Sequence, residues 1–521
     1  MATQISDSQF DSLARFRELQ STLAGEWQYL TPRSVGDRER TLLVINSVNV
    51  HVPAHMAPVI PAYEERFLFL MLTAVHNPRT RVIYVTSQPV LPRLMDYYLS
   101  LMPGSRPPGL NDRLFLVSVG DGSARPLVEK ILARPHLIER LRSLIGNSGH
   151  PLMLPFSTTL YEAELGSRLG IPVYGPDPSL SFLGTKSGSR KTFAEAGVPY
   201  PDGREGIRTV ADLVDALSDL KASNPLLRYA MVKLDDSAGG MGNAVVHVED
   251  ADSPGDLRRR VEGLQPDDHA VTLEEFLADL DTRGGIVEER IEGEALESPS
   301  VQLRASPLKD VEVLSTHDQI LGGATGQEFL GCRFPAHRDY GWLIAGLGER
   351  IGSRLAQQGV IGRFGVDFVV VRRDGAWRPY AIEINLRNGG TTHPMLTLGA
   401  LTDGEFDPSS CRFRVEGGDR YYLATDHLER PDYSTLTPDD VLDRVGDPRL
   451  SWDEDGMVGV ALHLVSAVAV AGRLGLTAIG TSPTDAERRF EDARNVIDEL
   501  AGPPEALGGL QAPRPSPGQR A

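Results

Sequence analysis

Blocks of apolar residues alternate with amphipathic stretches through the first third of the chain. The runs TLLVINSVNV (41–50), RVIYVTS (81–87), RLFLVSVGD (113–121) and PLMLPFS (151–157) are rich in β-branched residues and predict buried strands. Between them, residues 64–75, 91–101, 127–145 and 158–169 carry helical spacing, and IPVYGP (171–176) closes the series as a further strand. Strands that alternate with helices predict an open parallel sheet covered on both faces. A polar segment with a helix over 8–23 comes before it. NSVNVHVPAH follows the first strand where a G-x-G-x-x-G would stand, which counts against a nicotinamide or flavin site.

The pattern changes at Gly184. GTKSGSRKTFAEAGVPYPDG (184–203) reads as a basic helix stopped by Gly197 and two prolines. A helix (210–221), a strand (228–234), the glycine loop DDSAGGMGN (235–243) and a strand AVVHV follow. Residues 250–283 are acidic and predicted helical, 285–291 a strand, and 300–321 a β-hairpin. A Gly-rich loop (322–335) leads to a helix over 342–355 with Leu343, Leu347, Ile351 and Leu355 on one face, and then to two strands. From about 400 the chain reads as irregular, and a third folded piece starts near 455 and ends in a helix over 485–500. The expected divisions are a polar segment 1–40, an α/β domain 41–180, a larger unit 181–400 with a lid over 197–285, a C-terminal domain 401–500, and a Pro/Gly-rich tail 501–521 expected to be disordered.

The 521 residues exceed one ordinary core, so several domains are expected. The net charge of −18 disfavours nucleic acid as a general partner. Two cysteines, Cys332 and Cys411, exclude a disulfide framework and fit a reducing cytoplasm. The N-terminus lacks the pattern of a secretory signal. The most apolar window, 457–472, is too short to span a bilayer and contains His463 and Ser466, so no membrane association is expected.

The chemistry centres on YAIEINLRNGGTTH (380–393). Read as a strand entering a turn, it sets Tyr380, Ile382, Ile384 and Leu386 on one face and Glu383, Asn385 and Arg387 on the other. Side chains two apart lie about 7 Å from each other. Glu383 and Asn385 could then hold one or two Mg²⁺ ions while Arg387 meets a phosphate. Upstream, FGVDFVVV (364–371) carries one acid, Asp367, among apolar residues, where a metal is a natural partner. The plain alternative is a polar edge strand.

Four earlier features suit a nucleotide. Lys186, with Lys191 nearby, opens a helix and could meet a phosphate as a point charge. Lys233 lies on an apolar strand, where a bare ammonium is costly unless it snorkels or meets an anion. Gly239, Gly240 and Gly242 free backbone N–H groups to cradle a phosphate, although no G-K-[ST] follows. In IVEERIEGEALES (286–298), Glu288 could accept from an adenine amine, and Glu294 or Glu297 from ribose hydroxyls. Taken singly, each also reads as ordinary surface or turn.

In this order, Lys186, Lys233 with its glycine loop, VEERIEGE, GVDF and EINLRNGG resemble the ATP-grasp ligase superfamily over about 180–400. The preceding α/β part resembles the pre-ATP-grasp domain. GTKSGSRK, THDQIL (316–321) and HLVSAVAVAGRLGLTAIGTSPTDA (463–486) are similar to pheganomycin-type peptide ligases and related actinobacterial carboxylate–amine ligases. The resemblance implies an α/β and α+β fold: an open parallel sheet, then two lobes clamping ATP, then a small C-terminal element. It implies Lys186 and Lys233 on phosphates, Gly239 to Gly242 as a mobile lid, and Glu288, Arg290 and Ile291 as the adenine hinge, with Glu294 near the ribose. It further implies Asp367, Glu383 and Asn385 as ligands of Mg²⁺ (or Mn²⁺), and Arg387 as the transition-state cation. The sequence departs from the superfamily where Gly365 replaces an arginine of D-alanine ligases and Leu386 replaces a proline.

The implied reaction is ADP-forming amide synthesis through an acyl-phosphate, on an amino acid or peptide. Arg333 or His393 is a candidate to grip the substrate carboxylate, and His393 alternatively to take the amine proton. The Gly-rich lid and residues 322–337 are candidates for closing the site against water. Competing readings are a phosphotransferase of the same fold and a nucleotide-binding regulator without turnover. A homodimer is the default assembly.

Overall fold

The computed structural model describes residues 7–30, 39–49, 58–75, 77–102, 109–147, 149–237, 242–251, 253–267, 271–322 and 328–502. Gly239 and Gly240 lie outside the described residues, as does nearly all of the 501–521 tail.

The first third forms a four-stranded parallel sheet in the order Leu114–Ser118, Thr80–Thr86, Arg40–Ile45, Pro151–Pro155. Its strands read as unbroken apolar runs because both faces are covered. Leu43, Ile45, Ile83 and Val85 pack with Ile138, Leu141 and Leu165, while Leu42, Val44, Val82 and Tyr84 pack with Leu68 and Leu72. The expected helix over 127–145 is two helices, Leu127–Leu132 and Pro135–Ile145. Pro135 has no N–H to donate, so it starts a helix and cannot continue one. IPVYGP forms no strand; Val173 makes a single bridge to Met153.

The next unit begins with the helix Lys186–Ala196, capped by the Thr185 hydroxyl, which accepts from the Gly188 N–H. A five-stranded antiparallel sheet follows in the order Gly203–Ile207, Gly285–Glu289, Tyr229–Leu234, Asn243–His247, Gln265–Pro266. It packs on the helices Val210–Ser223, Pro254–Glu262 and Leu273–Arg283 around Leu217, Val232, Phe276 and Val287.

A ten-stranded antiparallel sheet holds the rest together. Ala376–Asn385 edges Gly362–Arg373, which pairs with Pro299–Ala305; that strand pairs with Val311–Gly322. The 20-residue helix Arg338–Gln357 covers one face through Ile344, Ile351 and Leu355. Two expectations are corrected here. Residues 322–335, read as a loop, contain the strand Glu328–Phe334, which pairs with Val311–Gly322. Its glycine is required by packing: a Cβ on Gly331 would lie 2.3 Å from the Ala424 carbonyl oxygen. The stretch from 400, read as irregular, contains three short strands and then Tyr421–Glu429, which joins the large sheet opposite Glu328–Phe334. Arg473–Gly480 and Val458–His463 extend the same sheet, so the third folded piece continues the central one. Among the described residues, no helix is long and apolar enough to cross a membrane.

Candidate active site

The strands Gly362–Arg373 and Ala376–Asn385 set Asp367 directly opposite Glu383 and Gly365 opposite Asn385. Phe364, Val366 and Phe368 enter the core, which leaves Arg363, Gly365 and Asp367 on the other face. The expected alternation from Tyr380 to Leu386 fails at one point. Phe368 pairs with Ala381, so Ile382 is an extra residue in a β-bulge. Ala381 therefore joins Ile384 in the core, and Ile382 turns to the cleft beside Glu383.

That cleft has a volume of about 300 Å³ and is lined by Lys186, Lys233, Asp367, Glu383, Asn385 and Arg387 among others. Six candidates far apart in sequence thus converge. The Lys186 ammonium lies 2.7 Å from a Glu383 oxygen and donates to the Ser237 carbonyl at 2.8 Å. Asp367 accepts from the Asn385 amide at 2.9 Å and the Gln319 amide at 2.8 Å. Burial, then the nearby Glu383 charge, pushes the Asp367 carboxyl up to about 7. Burial also lowers Arg387, whose guanidinium donates to the Asn388 carbonyl at 3.2 Å.

Lys233 is 2.6 Å from a Glu288 oxygen, and Arg190 reaches the other at 3.2 Å. Glu288 is only 2% exposed, so its carboxylate is committed to these two cations. The expectation that it accepts from an adenine amine is corrected accordingly. Arg290 is exposed and lies over the Tyr229 ring; Ile291 is buried; Glu294 and Glu297 are exposed. Gly242 has φ +83, a conformation that favours glycine, and Lys191 faces solvent.

Neither substrate-gripping candidate reaches the cleft. Arg333 is half-exposed and pairs with Glu487 at 3.1 Å. His393 is 2% exposed, its ring 4.3 Å from that of His463, and burial drives it well below the ordinary histidine range. The first turn of the helix Thr392–Thr402 faces inward there, so the imidazole is interior. Sequence reasoning missed Asn243, Ser300, Gln302 and Gln319, which also line the cleft. Gln319 lies within THDQIL, and Asn243 is the last residue of the glycine loop. Gln302 lies opposite Gly365; a Cβ there would come within 2.8 Å of its amide nitrogen. Gly365 thus makes room for an amide where an arginine had been compared.

Among the described residues no group of three His, Cys, Asp or Glu gathers as a metal site. The donors here are two carboxylates and one amide. That set suits a hard cation that takes few protein ligands and completes its shell with phosphate oxygens and water. The Asn385 amide donates its N–H to Asp367, which leaves its oxygen available.

Comparisons with known proteins point to one family and one fold. The IQCH-like ATP-grasp family matches residues 179–270 and 267–407. The L-propargylglycine–L-glutamate ligase of Streptantibioticus cattleyicolor is 33% identical over 430 residues, 81% of this chain and 87% of that protein. Biotin carboxylase of Campylobacter jejuni, solved with βγ-ATP, superposes with a TM-score of 0.52 at 14% identity, over 87% of this chain and 90% of that one. The biotin carboxylase domain of Hydrogenobacter thermophilus 2-oxoglutarate carboxylase, solved with MgADP and bicarbonate, gives a TM-score of 0.52 at 15% identity, over 87% and 89%.

Proposed function

We propose a division of labour among the cleft residues from the premise that the chain belongs to the ATP-grasp family of ligases. It is a carboxylate–amine ligase that forms an amide bond with ATP as the energy source. The observation that carries the residue roles is the convergence of Lys186, Lys233, Asp367, Glu383, Asn385 and Arg387 on one cleft between the two sheets.

A carboxylate does not condense with an amine in water, because its oxygen is a poor leaving group. Phosphorylation makes it a good one. Lys186 and Lys233 hold phosphate oxygens, each kept in place beforehand by its carboxylate partner. Asp367, Glu383 and Asn385 would hold Mg²⁺, which would neutralise phosphate charge when bound. Arg387 meets the charge that builds on the transferring phosphoryl group, from a half-buried position in the cleft. The substrate carboxylate attacks the γ-phosphorus, ADP leaves, and the amine displaces phosphate from the acyl-phosphate. Excluding water protects that intermediate.

The relative's name pairs two amino acids, which supports amino acids or short peptides as the acid and amine here. The test is ADP release over a panel of amino acids and dipeptides, with mass spectrometry of the products. ADP that appears only with both acid and amine, together with an amide product, is the expected result. A stable phosphate ester as the sole product would replace the ligase reading with a kinase one.

A further inference from the structure

A second cavity of about 780 Å³ opens beside the cleft, and Arg387 lines both. Its walls are mostly apolar: Leu42, Val44 and Leu154 of the parallel sheet, Phe67 and Met71 beneath them, and Met395 opposite. Its charged lining is Arg40, Arg304, Arg363, Arg387 and Asp403.

Arg304 and Arg363 are direct partners across the strands Pro299–Ala305 and Gly362–Arg373. Like charges set opposite each other on a sheet repel. Arg304 is compensated by an ion pair with Glu312. Among the described residues, no hydrogen bond or ion pair reaches the Arg363 guanidinium; the charges of Arg304 and Glu312 act on it from longer range. Burial and Arg304 push its guanidinium down to about 10, which leaves it charged at neutral pH. An uncompensated cation in an apolar wall is costly for folding and is explained by a ligand that brings the missing anion.

The same strand supplies a ruler. Arg363 and Asp367 are four residues apart on one face, which is about 13 Å along a strand. We propose that this cavity binds the acid substrate, and that the substrate has an apolar body, one carboxylate that reacts beside Arg387, and a second anionic group that pairs with Arg363. The proposal rests on the ligase reading for which carboxylate reacts, and on the cavity alone for the class of molecule. A volume of this size holds a body as large as a dipeptide.

Trp27 lines the cavity and reports its occupancy by fluorescence. The probes are N-succinyl-L-phenylalanine, which has both anions and an apolar body, and L-phenylalanine and succinate, which each lack one feature. The full-length protein is expected to bind the first at least tenfold more tightly than either other, with a signal lost in Trp27→Phe. Arg363→Leu should erase the tenfold preference and raise the melting temperature, because it removes a half-buried charge set opposite Arg304. Arg363→Lys should retain part of the preference. Equal affinities for the three probes, or an unchanged preference in a folded Arg363→Leu, would overturn the proposal. MgATP-dependent ADP release in wild type separates the two readings. Probe preference without any amide product sinks the ligase reading alone, and amide synthesis without probe preference sinks this one alone.

Discussion

The Lys233 ammonium and the Glu288 carboxylate stand 2.6 Å apart on adjacent strands of the five-stranded sheet, Met231 being the residue opposite Glu288. Glu288 also holds Arg190, so one buried acid orients two cations, and one of them lines the cleft. Glu288→Ala would leave the buried Lys233 without its carboxylate, while Arg190 keeps its ion pair with Glu205 at 2.5 Å. Loss of stability on the order of 3–5 kcal/mol is expected. A denaturant titration reads it, and calorimetry with ATP should show weakened binding in the fraction that folds. Unchanged stability would mean that the acid is not needed to compensate Lys233.

Glu383→Gln and Asn385→Ala remove oxygen donors from the cleft without disturbing the core, since both side chains sit on the polar face of their strand. Each should lower ADP release by about 100-fold or more while circular dichroism stays native. Near-wild-type turnover in either variant would refute the assigned metal role.

Arg66 ties three parts of the chain together. It lies 2.8 Å from Asp426 on the large sheet and donates to the Gly389 carbonyl at 3.4 Å, in the turn just after Arg387. Both members of the pair are buried, and hydrogen bonding from His427 with the Arg66 charge holds the Asp426 carboxyl well below its ordinary range despite burial. The sign is that of a depressed acid: its stabilisation is present above the unfolded value, about 3.9, and is lost as pH falls. Arg66→Met should cost about 3–5 kcal/mol at pH 7. It should also lower the turnover of the folded fraction, because the turn bearing Gly389 loses its anchor.

Glu64 and Glu65 titrate the other way. Burial pushes each up to about 7, although Ser87 and Ser466 respectively donate to them. A raised carboxyl favours the folded state when protonated, so stability is highest below the ordinary value, about 4.3, and falls as pH rises through 7. Thermal melts of the wild type are expected to drop between pH 5 and pH 8. Glu64→Gln should flatten that slope, and a slope identical to wild type would show that Glu64 does not carry it.

The parallel sheet was legible because its strands are apolar throughout and its helices have clear spacing, as at Leu42 to Ile45 and Ile138 to Ile145. The cleft's oxygen donors were legible for a similar reason: Asp367, Glu383 and Asn385 are polar interruptions of apolar strands. The strand Glu328–Phe334 was not, because Gly331 and the neighbouring glycines mimic a loop and one of its two partners, Tyr421–Glu429, is distant in sequence. Arg333 and His393 looked available because a sequence shows a side chain's chemistry and not what it faces. One is held outside by Glu487, and the other is packed against His463 in the interior.

By itself the sequence determined which side chains could carry phosphate and metal chemistry and on which strands they ride, because period-2 alternation and local composition are properties of neighbours. Tertiary structure alone decided the rest. The capture of Glu288 by two cations, the opposition of Arg304 and Arg363, and the cavity beside Arg387 all bring together segments far apart in the chain, and the bulge at Ile382 is set by the pairing register of its own hairpin. Such pairings depend on register and burial, which no local pattern encodes.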